Sequence, residues 1–281
     1  MQNVTLFKDL KLRASYGFTG NQNVGGFSYL AKINTGIQYP FGNSSGSGGI
    51  NSGAAPTATA NPDLKWEKNE QIDFGVDVSL KGSFSFSADV YRRKSIDLIF
   101  YVAPPALSGT YESIPLNTGS MQNTGIDVSV NGTLLKTKSF SWTSNLVLSA
   151  FKNEVTSLGL SGPIDNTFSR IQGGSTRVEA GFPAFYFYGF VTEGIFQNYD
   201  EIQKHAVQVA GTDPSTSTAP GDIKFKDLNN DGVINDKDRT NLGNSYPSFT
   251  YGFTNNLSYK GFELSIFIQG SQNNKVLNFT R

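Results

Sequence analysis

The residues best placed to do chemistry lie together near the C-terminus. Residues 227–238 read Asp227, Leu, Asn229, Asn, Asp231, Gly232, Val233, Ile, Asn235, Asp, Lys, Asp238. This follows the EF-hand calcium loop at positions 1, 3, 5, 6, 7, 9 and 12. Ca²⁺ is a hard cation that takes six to eight oxygen ligands, and side chains at positions 1, 3 and 5 converge on one point. Gly232 permits the sharp turn that brings the Val233 carbonyl inward. Asn235 is expected to act directly or through water, and Asp238 to close the shell in place of the usual longer glutamate. Flanking helices are not expected, because Pro220-Gly221 precedes and Leu242-Gly243-Asn244 follows. The expected role of a bound Ca²⁺ is structural, holding the stretch 221–245 rigid. An ion-free Asp/Asn/Gly-rich turn is the alternative.

Other constellations carry less. His205 is the only histidine and cysteine is absent, which excludes thiolate sites, disulfides and histidine metal clusters. His205 is expected on a short polar helix, 199–209, in a solvated position. Glu193 and Asp200 are the nearest thing to a carboxylate pair, with nothing to set them around a substrate. The glycine-rich run Gly42 to Gly53 has no lysine and no following helix, so it reads as a loop rather than a phosphate cradle. Arg92-Arg93-Lys94 reads as a solvated charge run at a strand end. No acid–base or nucleophilic set emerges, and an enzyme is not expected.

Composition sets the frame for these residues. Lys+Arg and Asp+Glu both total 23, so no net basic field exists to hold nucleic acid. Charged residues are only 16% of the 281, against 22 Phe, 12 Tyr and 30 Gly, which argues against disorder. No apolar run approaches the ~18 residues of a membrane helix.

Alternation of period two dominates instead, over 8–18, 72–80, 84–91, 126–134, 140–150, 251–259 and 262–268. These seven segments predict an all-β chain of antiparallel strands. The links at Lys81-Gly82-Ser83, Leu135 to Ser139 and Lys260-Gly261 are short. The opposite connections, about 19–67, 101–121 and 152–248, are long and polar. Short turns on one side and long loops on the other is the layout of an outer-membrane β-barrel, whose crossing strands have ~9–11 residues. Phe84, Tyr91, Phe100, Tyr101, Phe140, Trp142, Tyr259 and Phe262 are candidates for interfacial aromatic girdles. The stretch 183–196 is expected to be an extracellular excursion with short strands of its own. The rival reading is a soluble, calcium-stabilised β-sandwich that binds glycans. The two differ in whether the apolar strand faces are buried against a second sheet.

The stretch 221–270, GDIKFKDLNNDGVINDKDRTNLGNSYPSFTYGFTNNLSYKGFELSIFIQG, closely resembles the SusC/RagA family of TonB-linked outer-membrane proteins. NPDLKWEKNEQIDFGVDVSL (61–80) and GFPAFYFYGFVTEGIFQ (181–197) agree with it. The resemblance implies a transmembrane segment, 1–281, of a large plugged barrel of about 22 strands. It implies a bacterial outer-membrane location, set in lipid, and import of oligosaccharides or peptides with energy passed on by TonB. A SusD-like surface lipoprotein is the implied partner over the outer mouth. The family's N-terminal plug, its TonB-contacting segment and its final strands are expected to lie outside this sequence. Loop aromatics such as Tyr39, Phe41, Tyr111, Phe185 and Tyr188 are candidates for stacking on sugars.

Overall fold

The computed structural model describes residues 7–40, 50–102, 104–110, 112–159, 162–167, 175–211 and 216–278. In chain order the strands are β1 (Phe7–Asn21), β2 (Lys32–Pro40), β3 (Ile50–Ala58), β4 (Glu67–Leu80), β5 (Phe84–Val102), β6 (Ile114–Lys136), β7 (Phe140–Ser157), β8 (Ile164–Thr167), β9 (Ser175–Val178), β10 (Tyr186–Phe190), β11 (Thr192–Ile195), β12 (Ile223–Phe225), β13 (Arg239–Gly243), β14 (Phe249–Tyr259) and β15 (Phe262–Gln272). The seven alternating segments of the sequence become one antiparallel sheet, β1-β4-β5-β6-β7-β14-β15. The rest pair among themselves as β13-β10-β9-β8, β11-β12 and β2-β3. Residues 183–196 thus stand outside the large sheet, in strands of five and four residues.

The tight turns follow from backbone chemistry. Gly82 and Ser83 have φ of 107° and 71°, and Lys260 and Gly261 have 45° and 88°. Two successive positive φ values give a turn whose twist matches that of the strands it joins. Neighbouring hairpins are stitched together beside these turns, where the Thr133 N–H donates to the Ser83 carbonyl and Lys260 N–H to that of Ser139.

Two expectations are corrected. The strands are longer than the alternation suggested, 19 residues in β5 and 23 in β6, so the 101–121 connection shrinks to 103–113. Pairing breaks register between Ser95 and Ile99, with Asp97 at φ 59°, and continues with Leu98 to Val102 beyond the alternating stretch. Period two fades there because both faces meet protein or water rather than one meeting lipid. The helix spans only Tyr199–Lys204, capped by Asn198, whose side chain accepts from Glu201 N–H. It ends because Val207 is held extended, donating to the Gly232 carbonyl and accepting from Ile234 N–H.

Register places the side chains. Cross-strand partners such as Leu12, Val76, Ala88, Val128 and Leu148 share one face of the large sheet. Arg13, Asp77, Ser87, Asp89, Asp127 and Ser149 stand on the other. The apolar face is uncovered: Leu12 is 77% exposed, Phe74 53%, Ile126 43% and Ile268 50%. About a dozen such side chains left in water would forgo ~1.5–3 kcal/mol each. That exceeds the ~5–15 kcal/mol by which a folded domain is stable. A soluble sandwich would bury this face, so the sandwich reading is set aside. The buried cluster sits at the loop end instead, where Val155, Leu158, Val178 and Ala184 pack with Phe100, Met121 and Ile164.

A polar group on the apolar face shows how strictly the rule holds. Asn255 shares that face with Trp142, is nearly buried, and accepts a hydrogen bond of 3.0 Å from the indole Nε1. Tyr259 pairs with Phe140 and Phe262 beside the short turns, and together with Phe84 and Trp142 they form an aromatic belt there. Tyr91 and Phe100 are not part of a girdle. Tyr91 lies on the polar face across Gly125, where a Cβ would strike its ring, and Phe100 packs on the buried cluster. Tyr101 is exposed beyond the apolar band.

These faces predict a labelling pattern in the full-length protein. Single cysteines at Asp77 and Asp127 should react with a water-soluble maleimide, and cysteines at Val76 and Val128 should react at least tenfold more slowly. Equal rates at all four positions would contradict the face assignment.

Candidate functional site

The polar face carries a connected set of charges. The Arg13 guanidinium donates to both Asp77 oxygens, at 2.9 and 3.0 Å, and to Asp89 at 2.9 Å and Ser87 at 3.3 Å. Ser87 in turn donates to Asp77 at 2.8 Å. Gly75 lies under this group, and a Cβ there would come within 2.8 Å of the Arg13 guanidinium carbon. Only glycine lets three strands bring the charges so close. The polar pairing continues through Ser149 to Asp127, Asn145 to Asn131 and Asn153 to Asn123. Sequence reasoning did not pair these residues, although their shared odd-numbered parity was the signal that could have done so. Fixed ions and amides of this kind suit a water-bearing interior wall and perform no bond chemistry.

The expected cation loop lies on the long-loop side, between β12 and β13. Asn230 and Gly232 hold φ of 60° and 82°, so the chain curls tightly. Asp227 accepts from the N–H groups of Asn230 and Gly232, at 2.7 and 2.9 Å. Asn229 accepts from Asp231 N–H and donates through its amide to Asp231, both at 2.9 Å. Asp231 accepts from Val233 N–H at 3.0 Å, and the Asn235 amide reaches the Val233 carbonyl at 3.3 Å. Asp238 is fully buried and accepts from Leu228 N–H and Asn235 N–H. The Asn235 hydrogen bond is the main reason its carboxyl is held below the usual range. The loop thus turns its oxygens toward its own backbone. Among the described residues no three carboxylate or imidazole groups are clustered as a metal site.

The remaining candidates separate. His205 is not solvated: its ring packs edge-on against buried Phe196 at 5.3 Å, and Nδ1 lies 2.9 Å from the Ala206 carbonyl. Glu193 faces His205 at 3.8 Å, while Asp200 sits in the first turn of the helix, so the two acids form no pair. Arg92 and Arg93 point to opposite faces of β5, and Arg93 donates twice to Gln71. Phe185 is half exposed at φ 57°. Phe41, Tyr111, most of the Gly42–Gly53 run and the Tyr39 side chain lie outside the described residues.

Tyr188 carries the Arg177 guanidinium over one face of its ring, 3.5 Å from the centroid. Arg177 also forks onto Asp165 at 2.7 and 2.9 Å, which holds that carboxyl below its ordinary value. Burial, reinforced by a hydrogen bond to Glu179, pushes the Tyr186 hydroxyl well up. The Arg177 fork ties β8 to β9 and its stacking ties β9 to β10, and both features predict how the loop sheet responds. Asp165→Asn should raise hydrogen-exchange rates in β8–β10 about fivefold or more, at ~1 kcal/mol for a lost charged hydrogen bond. A depressed carboxyl stabilises above its ordinary pKa and loses that contribution as pH falls. Protection, corrected for intrinsic rates, should therefore hold from pH 7 to 5 and drop below about pH 4. Unchanged exchange in the variant would mean that the fork does not hold this sheet.

Comparison with known proteins agrees with this arrangement. A family model described as TonB dependent receptor-like, beta-barrel matches residues 3–217. The TonB-dependent receptor P26 of Formosa agariphila is 34% identical over 286 residues, covering 99% of this chain and 27% of that protein. The TonB-dependent receptor SusC of Bacteroides thetaiotaomicron is 31% identical, over 98% of this chain and 26% of its own length. Among solved structures, the RagAB peptide importer in its open-open state superposes with a TM-score of 0.67 at 25% identity, covering 95% of this chain and 26% of that one. The chain therefore spans about a quarter of the length of these relatives, which are receptors and importers rather than enzymes. With its open seven-stranded sheet, bare apolar face and one-sided loops, this chain belongs to the TonB-dependent receptor β-barrel family and forms part of a barrel wall in the bacterial outer membrane.

Proposed function

We propose that the chain is part of the wall of a SusC-like importer that takes oligosaccharides or peptides across the outer membrane. The observation that carries this reading is the pair of opposed faces: an uncovered apolar surface outside and the Arg13–Asp77–Asp89 set with its amide ladder inside. A polar inner wall keeps hydrophilic cargo hydrated as it passes, whereas an apolar one would bind only lipid-like molecules. Energy would come from an inner-membrane TonB complex acting through parts of the protein beyond these strands. The folded loop sheets on the long-loop side would form the seat for a SusD-like surface lipoprotein. Uptake of labelled peptides and of labelled oligosaccharides, by cells with and without the full-length gene, tests the reading. Loss of one class of uptake on deletion is expected and would name the substrate class. Unchanged uptake of both would refute the importer reading.

We further propose that residues 227–238 take up Ca²⁺. The donor set supports this: carboxylates of Asp227, Asp231 and Asp238, amides of Asn229 and Asn235, and the Val233 carbonyl are all oxygen donors of the kind Ca²⁺ prefers. Each carboxylate oxygen engaged with one N–H keeps a second lone pair. The Asn229–Asp231 hydrogen bond would have to give way, since both groups are wanted as ligands. Affinity in the range of extracellular modules, ~10⁻⁴ to 10⁻³ M, would suffice outside a cell. Limited proteolysis of the full-length protein near residue 230 should slow at least severalfold with millimolar calcium, and neither chelator-treated protein nor Asp231→Ala should show that protection. Equal cleavage under all three conditions would leave only an ion-free turn.

A further inference from the structure

The apolar face ends sharply on its loop side. Register gives its cross-strand rows: Leu80–Phe84, Val78–Phe86–Val130, Val76–Ala88–Val128, Phe74–Val90–Ile126–Ala150, and then Ile72–Arg92–Thr124–Lys152. Leu80 to Ile72 spans ~27 Å along the strand at ~3.4 Å per residue. At the usual barrel tilt of ~35–45° this is about 20 Å of height, close to the ~25 Å apolar band of an outer-membrane barrel. Arg92 and Lys152 therefore stand where hydrocarbon gives way to headgroups, on the extracellular side and on the outside of the wall.

A shallow groove occupies this boundary. Phe74, Val90, Ile126 and Ala150 line its apolar part, and Arg92, Thr124 and Lys152 its charged end. The Arg92 side chain is exposed and makes no hydrogen bond or ion pair among the described residues. Lys152 is 73% exposed and pairs with Glu154 one row farther out. An exposed pair of that kind is weak, and an ammonium keeps two further donors. The Thr124 hydroxyl accepts from Gln122 at 3.3 Å, which leaves its own proton free to donate. Arg92 and Lys152 are each one strand from Thr124, so ~10 Å separates their backbones, a span that two long side chains close around one anion. Glu70, Lys94 and Glu154 lie in the row beyond, where water is the solvent.

We propose that this groove seats an anionic lipid of the outer leaflet. One acyl chain lies along Phe74, Val90 and Ile126, and the headgroup phosphate accepts hydrogen bonds from Arg92, Thr124 and Lys152. Such a lipid fixes the depth of the wall in the membrane and gives the Arg92 guanidinium a counter-ion that a lipid of no net charge would not supply. The site rests on the barrel's seat in the membrane and not on what is imported.

The test uses the full-length barrel in nanodiscs of phosphatidylcholine doped with phosphatidylglycerol, followed by native mass spectrometry of the lipids retained on gentle extraction. Wild type should retain phosphatidylglycerol in preference to phosphatidylcholine. The Arg92→Gln/Lys152→Gln double variant should weaken that retention about twenty-five-fold, at a factor of about five for each surface cation. Lys152→Gln alone should show the smaller loss and serves if the double variant does not assemble. Arg93→Gln, on the opposite face, should retain lipid as wild type does. Equal retention of both lipids by a barrel that incorporates normally, or no loss in the variants, overturns the site. Displacement of the lipid by millimolar inorganic phosphate would also overturn it, by showing a free-anion site in place of a lipid seat. Importer activity is not read in this experiment, so its failure and failure of the import proposal remain distinct.

Discussion

Hydrocarbon offers no hydrogen-bond partners, so every backbone N–H and C=O that crosses a membrane must find one within the protein. The seven-stranded sheet answers that constraint with ladders that run almost without interruption from the short turns to the loop side. Its two edge strands, β1 and β15, still present one row of backbone groups each. In the barrel those rows are met by further strands, because closure alone removes edges. The bilayer thus dictates extended strands, tight pairing and a curved wall before any side chain is considered.

Once pairing is fixed, side-chain direction is fixed with it. A strand's side chains alternate, so each residue committed to lipid commits its neighbour to the interior. That is why Asp77 and Asp89 come together with Arg13 although 64 and 76 residues separate them from it in sequence. It is also why the exceptions carry their own remedies. Asn255 falls on the lipid side and is sheltered by the Trp142 indole. Gly125 and Gly132 leave room for the rings of Tyr91 and Phe84 lying across them.

Beyond the apolar band the governing physics changes. Water satisfies exposed backbone there, so strands need not close into a barrel, and small sheets are held by their own contacts. Arg177 holds three strands through a planar fork on Asp165 and a stacked ring beneath it. Val207 lashes the helix end to the 227–238 loop by backbone hydrogen bonds to Gly232 and Ile234, on either side of Val233. The packed cluster around Val155 and Ala184 ties this layer to the tops of β5, β6 and β7.

The sequence by itself determined the seven wall strands, the side on which the loops lie and the assignment of faces, because lipid imposes a strict period of two that composition cannot disguise. It also exposed the Asp/Asn/Gly spacing of residues 227–238, since ligand spacing within one loop is local. The lengths of β5 and β6 were decided only by tertiary structure. Above the membrane both faces meet polar or packed surroundings, and the alternation that announces a strand disappears. The early end of the helix was likewise settled by partners 25 and 27 residues distant, when the backbone of Val207 took Gly232 and Ile234 in place of its own turn. Tyr91, Phe100 and His205 changed role for the same reason. An aromatic or imidazole ring near a strand or helix end carries no local mark of which neighbour will cover it, and that is decided by register and by the chain that folds back over it.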